Sequence, residues 1–227
     1  MHAQTTRVLQ GMLFVWTDVD STHEDDFNRW YDTEHVKERV AIPGFLSGAR
    51  YQGTQGSRRH LGLYRTTSLD VFETAAYQQA LQHPTAWSVT NLARMQNPMR
   101  RVCSIEMETG AGTGAWLALL TLGTSATSTD VTGIAGSGSE LLTLDGVVLA
   151  RLLVPDAALS TPLPAEDLRE RRLDPLLLIE ASSEAAVANA GRQAARHVGA
   201  GSDDLSCFRL MWQLRRTDLR KEDNGRQ

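Results

Sequence analysis

The sequence is poor in cysteine and has no long apolar run. Only Cys103 and Cys207 occur among 227 residues, and both lie in apolar, strand-like sequence. Two thiols predict buried, reduced cysteines, not a disulfide framework, and they supply too few ligands for a metal site. The longest apolar stretch, Ala115 to Leu122, is far shorter than the roughly 20 residues that span a bilayer. With no apolar secretory core near the N-terminus, we expect a cytoplasmic protein without a membrane partner.

A basic stripe and the common catalytic motifs are also absent. The chain has 23 Lys and Arg against 27 Asp and Glu, and the basic residues are scattered, so the phosphate-neutralising surface of a nucleic-acid-binding protein is not expected. No Walker loop, Gly-x-Ser-x-Gly elbow, His-Glu-x-x-His pair or Cys-x-x-Cys occurs. The hydrophobic share of 41% is typical of a soluble globular protein with a substantial core.

The first half of the chain predicts the order strand, helix, strand, strand, helix, strand. A cap at Ser21 or Thr22 begins the first helix, and Pro43 ends it. The second helix begins at Ser68 or Asp70 and is interrupted at His83 and Pro84. The four predicted strands are Arg7–Val19, Phe45–Gly53, His60–Thr66 and Met99–Met107. This order is the split βαβ pattern of ferredoxin-like units.

After a glycine-rich linker the pattern begins again. Leu61–Ser68 aligns with Leu176–Ser183 as a strand that runs into a capped helix. Thr124–Glu140 takes the place of the first helix, but its glycines and β-branched residues disfavour a long helix. The predicted fold class is α+β, with tandem ferredoxin-like βαββαβ repeats (1–109 and 115–216) that form an intramolecular dimeric α/β barrel, followed by a polar tail at 217–227. The later elements are predicted at Trp116–Gly123, Asp145–Val154, Pro175–Ala181, Ser183–Val198 and Leu205–Leu214.

One helix face combines aromatic and ionisable residues. Phe27, Trp30, Tyr31, Glu34 and His35 follow i, i+3, i+4 spacing. Ionisable groups on a face that should be core indicate either a structural network or a functional site. An imidazole suits proton transfer near neutral pH, so His35 is the candidate catalytic acid or base and Glu34 the group that orients it. The alternative is that His35 caps the helix or pairs with a neighbouring carboxylate.

Further polar and aromatic residues follow on the next strands and helix. Arg50 and Tyr51 point to opposite faces of their strand, whereas His60, Gly62 and Tyr64 share one face. Gly62 leaves room for a ligand or another backbone. Together these residues predict a small-molecule cavity with a few polar anchors. The candidate substrate-binding residues are Trp30, Tyr31, Arg50, Tyr51, His60, Tyr64, Tyr77, His83 and Trp87.

The segments Trp30–His35, Ile42–Phe45 and Ala49–Tyr51 resemble the EthD-like branch of the dimeric α/β-barrel superfamily. The resemblance extends over about Val8 to Met107. It implies a pocket between the sheet and the helices of the first repeat, with His35 as acid or base and one active pocket per chain. The superfamily contains cofactor-free monooxygenases, isomerases, polyketide cyclases and haem-dependent chlorite dismutases, so the fold alone does not select the chemistry.

Three functions are compatible with these residues. The leading hypothesis is a small-molecule enzyme that needs no cofactor and transfers protons on an aromatic, lactone or polyketide-like substrate, with Arg50 and Tyr64 holding a substrate oxygen. The second is a haem- or metal-dependent oxidoreductase, for which His35, His60, His83 and His197 are candidate ligands. The third is a non-catalytic small-molecule-binding protein. Association into a homodimer is left open.

Overall fold

The first half of the chain forms four strands with helices on one side. The computed structural model describes residues 8–55, 58–123 and 138–223. The strands are β1 (Gly11–Val19), β2 (Phe45–Gln55), β3 (His60–Thr66) and β4 (Met95–Gly110). The helices are α1 (Glu24–Trp30), α2 (Val36–Ala41), α3 (Ala75–Gln82) and α4 (Ala86–Ala93). Single 3-10 turns at Ser21–His23 and Leu69–Glu73 precede α1 and α3.

The described residues of the second half also form four strands. They are β5 (Trp116–Thr121), β6 (Val147–Pro155), β7 (Leu176–Ala181) and β8 (Leu205–Arg215). Helix α5 (Glu184–Val198) lies between β7 and β8, and helix α6 (Arg216–Asp223) follows β8. Most of the glycine-rich segment, residues 124–137, lies outside the described residues. No helix in the described ranges has the length and apolarity needed to cross a membrane.

The eight strands close into one antiparallel barrel. Their order around the barrel is β1-β3-β2-β8-β5-β7-β6-β4. Each half therefore contributes a four-stranded ferredoxin-like sheet, and the two sheets join through the β2–β8 and β4–β6 pairs. Thr66 on β3 pairs with the first residue of β1, and Ala181 on β7 pairs with the first residue of β5. This equivalence matches the predicted alignment of the two halves, and the predicted fold class is confirmed.

Each sheet is buried on both faces. Alternate residues of a strand point to opposite sides, so one set of side chains enters the barrel and the other faces the helices. The barrel interior is filled mainly by apolar side chains such as Phe14, Leu61, Leu119 and Leu178. A second apolar cluster lies between the first sheet and its helices, and a third lies between the second sheet and α5. The candidate site residues on the strands of the first sheet therefore point either into the barrel interior or toward the helices.

The first helix differs from the prediction at its start and in its middle. The carboxylate of Asp20, not the predicted Ser21 or Thr22, caps its start by accepting from the Thr22 N–H at 2.9 Å. Between α1 and α2 the residues Tyr31–His35 form a π-helical turn, in which the Val36 N–H donates to the Tyr31 carbonyl. A π turn adds one residue to the helical cycle and changes which side chains share a face.

Candidate functional site

His35 lies in an aromatic cage under the first sheet's helices. Its side chain is 6% exposed, and its ring centroid is 4.4 Å from that of Trp30, 5.1 Å from Tyr31 and 6.2 Å from Tyr64. Burial, together with the nearby charges of Arg39 and Arg50, holds the pKa of His35 well below its usual value. The imidazole is therefore neutral at neutral pH. Its Nδ1 atom is buried without a hydrogen-bond partner.

Tyr64 and Tyr31 bring two phenol groups to the same place. Tyr64 is fully buried, and its hydroxyl neighbours that of Tyr31 without a hydrogen bond of good geometry. Burial raises the pKa of Tyr64 well above its ordinary value, so the hydroxyl stays protonated. A Cβ atom at Gly62 would lie 2.5 Å from the Tyr31 hydroxyl oxygen. The room that Gly62 was predicted to leave for a ligand is thus taken by Tyr31.

Glu34 acts on the cage through Trp30 and forms no hydrogen bond with His35. Its Oε1 atom accepts from the Thr85 hydroxyl at 2.6 Å and from the Ser88 hydroxyl at 3.4 Å. Ser88 in turn accepts from the Trp30 indole N–H at 3.0 Å. The predicted stripe assumed regular α-helical spacing, whereas the π turn directs Glu34 toward α4. Glu34 therefore positions the ring that packs on His35.

Arg50 is held beneath the same cage. Its side chain is 2% exposed, donates to Asp32 Oδ1 at 2.5 Å and to Asn28 Oδ1 at 2.8 Å, and places its guanidinium 4.5 Å from the Tyr31 ring centroid. The Trp212 indole donates to the same Asp32 oxygen at 2.6 Å. Sequence reasoning missed three members of this network. Asp32 and Asn28 lie in the recognised polar segment, but Trp212 reaches the site only because β8 pairs with β2.

His60 occupies the same layer on the next strand. It is 4% exposed, and its ring lies 5.0 Å from that of Phe27. Burial, then the charges of Arg50 and Arg59, lowers the pKa of His60 to about 4. Its Nε2 atom is 3.6 Å from a Glu24 oxygen, and neither ring nitrogen forms a hydrogen bond. His60 is therefore a second neutral, buried imidazole.

The other predicted site residues lie elsewhere. Tyr51 points into the barrel interior, on the opposite face of the sheet from His35, so the two do not share a pocket. Tyr77 stacks on the ring of Phe45 and accepts from Arg100 at 2.8 Å. The Tyr77 ring is therefore part of the core, and its hydroxyl is hydrogen-bonded to Arg100.

Two predicted residues lie near the surface of the helical layer. His83 is exposed at the C-terminal end of α3 and does not join the cage. Trp87 is half-buried and donates to Asp26 Oδ2 at 3.2 Å, near the start of α1. Of the nine predicted substrate-binding residues, Trp30, Tyr31, Tyr64 and Arg50 surround His35.

Unpartnered buried polar atoms are concentrated in this layer. Among the described residues, five buried side-chain nitrogen or oxygen atoms have no hydrogen-bond partner. Four of them belong to His35, His60 and Tyr64, and the fifth is Nε of Arg171. Such atoms are rare in folded proteins because burying them without a partner is costly. Their clustering under the first sheet marks this layer as the candidate functional site.

The described part of the chain contains at least three cavities. One of about 370 Å³ opens at an end of the barrel beside Tyr51. A second of about 320 Å³ lies beside Arg58 and Arg101. The third, of about 240 Å³, lies against α5 and includes His197. None of these three is lined by His35.

Comparisons with known proteins find similarity only at the level of three-dimensional structure. No protein-family profile and no curated protein matches the sequence. An anthrone oxidase-like protein superposes with a TM-score of 0.64 at 10% identity, covering 93% of this chain and 94% of that chain. A candidate monooxygenase from Fusobacterium nucleatum subsp. nucleatum gives 0.60 at 7% identity, covering 92% and 96%. The chain has the dimeric α/β-barrel fold.

A chlorite dismutase variant from Candidatus Nitrospira defluvii, in complex with cyanide, has the same fold. Its TM-score is 0.56 at 10% identity, with 91% of this chain and 92% of that chain covered. The predicted fold is thus confirmed, and membership of the superfamily and of its EthD-like branch stays a prediction. At these identities the likeness carries no information about the reaction.

The predicted alternative of a haem-dependent oxidoreductase requires a histidine that is free to ligate iron beside a cavity of sufficient size. The rings of His35 and His60 pack against aromatic neighbours. His83 is exposed and borders none of the three cavities. His197 borders the cavity of about 240 Å³, which is below the roughly 300–1,000 Å³ of drug-sized sites. The described residues do not fit a haem, and they contain no metal-binding group of three or more His, Cys, Asp or Glu.

Proposed function

We propose that the chain is a small-molecule enzyme that moves a proton on an acidic aromatic or polyketide-like substrate, with His35 as the base. The observation that carries the proposal is a neutral, buried imidazole with an unpartnered nitrogen in an aromatic cage. A neutral imidazole is the form that accepts a proton. We also propose that the chain belongs to the EthD-like branch, acts in the cytoplasm and has repeats at 1–109 and 115–216.

The environment of His35 defines which protons it can take. Once protonated, the imidazolium is buried near Arg39 and Arg50, which disfavour the charged form. His35 is therefore a weak base, and it matches a substrate whose proton is already acidic, such as a phenol, an enol or a C–H group beside carbonyls. The same repulsion favours return of the proton to the substrate. This is the behaviour required for isomerisation or for generating a reactive enolate.

Nearby groups are placed to stabilise the anion that forms. The Tyr64 hydroxyl is kept protonated by burial and has no well-formed hydrogen bond of its own, so it is available to donate to a substrate oxyanion. Arg50, fixed by Asp32 and Asn28, adds positive potential. Preorganised donors and charges of this kind are a main source of enzymatic rate enhancement.

The walls of the cage favour a flat, aromatic substrate. The Trp30 ring lies tilted against His35, the Tyr31 ring meets it edge to face, and Phe27 packs on both aromatic rings. Because these rings fill the space around the imidazole, a substrate enters only where they move apart. Ring–ring contacts add about 0.5–1.5 kcal/mol to apolar burial.

The proposal predicts proton exchange on anthrone, a flat ketone with acidic methylene protons. In deuterated buffer, the wild-type chain should accelerate loss of the methylene signal in proton NMR. The variant His35→Gln should be slower by about 10²-fold or more, as expected for removal of a general base. His23→Gln, in which an exposed histidine is changed in the same way, should match the wild type. Equal exchange rates for His35→Gln and the wild type would show that His35 is not the base.

A further inference from the structure

The mouth of the barrel beside Tyr51 has the features of a second binding site. The cavity there has a volume of about 370 Å³, within the roughly 300–1,000 Å³ usual for small-molecule sites. Its inner wall is apolar and includes Met12, Ala49 and Leu63, and its rim is polar. Because these side chains point into the barrel, the cavity is separated from His35 by the sheet.

The cavity exists because the inward-facing positions change character at this end. On β3 the inward residues run from Leu63 to Arg65, and on β7 they run from Leu178 to Glu180. Apolar side chains fill the barrel below this level. At the mouth, Arg65 donates to Glu108 at 2.9 Å instead of reaching across the opening. The charged side chains lie along the wall and leave the centre of the mouth open.

Both glutamates at the mouth already accept hydrogen bonds from arginines. Glu108 accepts from Arg65 at 2.9 Å and from Arg151 at 2.5 Å. Glu180 accepts from Arg151 and from the Gly114 N–H, the latter at 2.8 Å. Because each glutamate is already paired with an arginine, neither is expected to bind a cationic ligand.

One arginine of the mouth has a guanidinium without a carboxylate partner. Arg215 lines the cavity at the exposed rim, and its guanidinium forms no ion pair within the described residues. Arg65 and Arg151 pair with Glu108 and Glu180, whereas the Asp218 carboxylate accepts only from the backbone N–H of Arg215, at 3.0 Å, and leaves the Arg215 guanidinium open to a ligand. Deeper in, burial and then the charge of Glu180 raise the pKa of Tyr51, so its hydroxyl is a donor. The mouth thus offers a cation and a hydroxyl donor above an apolar wall.

We propose that the barrel mouth binds a small organic monocarboxylate with an apolar body. The body lies against Met12, Ala49 and Leu63, and the carboxylate pairs with Arg215 at the rim. The Tyr51 hydroxyl is available to an oxygen substituent on the ligand. This site goes beyond the proton-transfer function and does not depend on it, since it lies on the other face of the sheet.

Isothermal titration calorimetry with octanoate tests the proposal. The wild-type chain should bind octanoate at one site and bind octan-1-ol more weakly, because the alcohol lacks the charge. Arg215→Gln should weaken octanoate binding about tenfold, the usual effect of losing one charge-assisted hydrogen bond. Arg196→Gln, a matched change at an exposed position on α5, should leave binding unchanged.

A second variant tests the apolar wall. Ala49→Leu fills part of the cavity and should abolish octanoate binding, while thermal unfolding verifies that the protein folds. If Ala49→Leu does not fold, the exposed Arg215→Gln still decides the question. The proposal is overturned by the absence of saturable binding at millimolar octanoate, by equal affinities of Arg215→Gln and Arg196→Gln, or by loss of binding in His35→Gln. The last result would place octanoate at the aromatic cage instead.

Discussion

Two neutral histidines, His35 and His60, are buried in the first half of the chain. In the unfolded chain each has a pKa near 6.5, whereas in the folded protein burial lowers the pKa of His60 to about 4 and that of His35 well below 6.5. Below pH 6.5 the unfolded state therefore binds protons that the folded state does not. The free energy of unfolding should be unaffected by these groups above pH 6.5 and should fall as the pH decreases toward 4.

The size of this effect is testable with His60→Gln. Each neutral buried histidine costs about 1.4 kcal/mol of stability per pH unit in the window where only the unfolded state is protonated. Between pH 6.5 and pH 5, the wild type should lose about 2 kcal/mol more than His60→Gln in urea unfolding. His23→Gln, at an exposed site, should keep the wild-type pH dependence. A His60→Gln curve parallel to that of the wild type would show that His60 protonates freely in the folded state.

At the residue scale, strand alternation was a reliable guide and helical periodicity was not. His60 and Tyr64 lie under the helices and Leu63 lies in the barrel, as the period of two requires. Glu34 departs from the expected stripe because the π turn interrupts the 3.6-residue repeat. The Trp212 contact with Asp32 joins residues 180 positions apart, and no local pattern encodes such a pairing.

At the scale of elements, α2 rests directly on β2 at a glycine. A Cβ atom at Gly48 would lie 2.9 Å from both Val36 and Tyr64 side-chain atoms. Because α2 begins immediately after His35, this close approach also sets the height of the aromatic cage above the sheet. Gly48 is thus required for the spacing between helix and sheet, not for any backbone angle.

Gly48→Ala should lift α2 and lower the free energy of unfolding by about 1–3 kcal/mol, as overpacking of a core usually does. Urea denaturation measures the change. Gly123→Ala is the control, because a Cβ atom there would have no neighbour within 4 Å. If both variants unfold at the same urea concentration, the helix does not rest on Gly48.

Element boundaries were predicted well where turn residues punctuate the chain. β3 runs from His60 to Thr66 as predicted, and α5 begins after its Ser183 cap. β4 begins at Met95, earlier than the predicted Met99. Pro98 in its early part masked the strand, because proline cannot donate a ladder hydrogen bond and is disfavoured in central strands.

At the scale of the whole molecule, stability depends on closing the barrel. The interior cluster draws side chains from both halves, and strands β2 and β4 each pair with a strand of the second half. Neither sheet alone could cover its inner face. The order of elements in the sequence predicted this architecture, since two sheets with one unprotected apolar face each bury it by packing together.

A fragment that ends at residue 110 tests this dependence. It would expose the edges of β2 and β4 together with half of the interior cluster, and unpaired edges beside apolar surface promote association. Light scattering at micromolar concentration should therefore give a mass of at least two fragments, with the full chain as reference. A folded, monomeric fragment would show that the first sheet does not need a partner.

Linking two similar sheets in one polypeptide also removes a constraint that symmetry imposes. Arg65 and Glu180 occupy corresponding places on β3 and β7. Two identical subunits related by a rotation axis would carry the same charge at both places, and like charges would repel across the opening. A covalently joined pair is free to put an arginine on one side and a glutamate on the other. The polar rim of the barrel mouth therefore has a different charge on each side. A ligand bound there would have one preferred orientation, whereas a symmetric assembly would offer two equivalent ones.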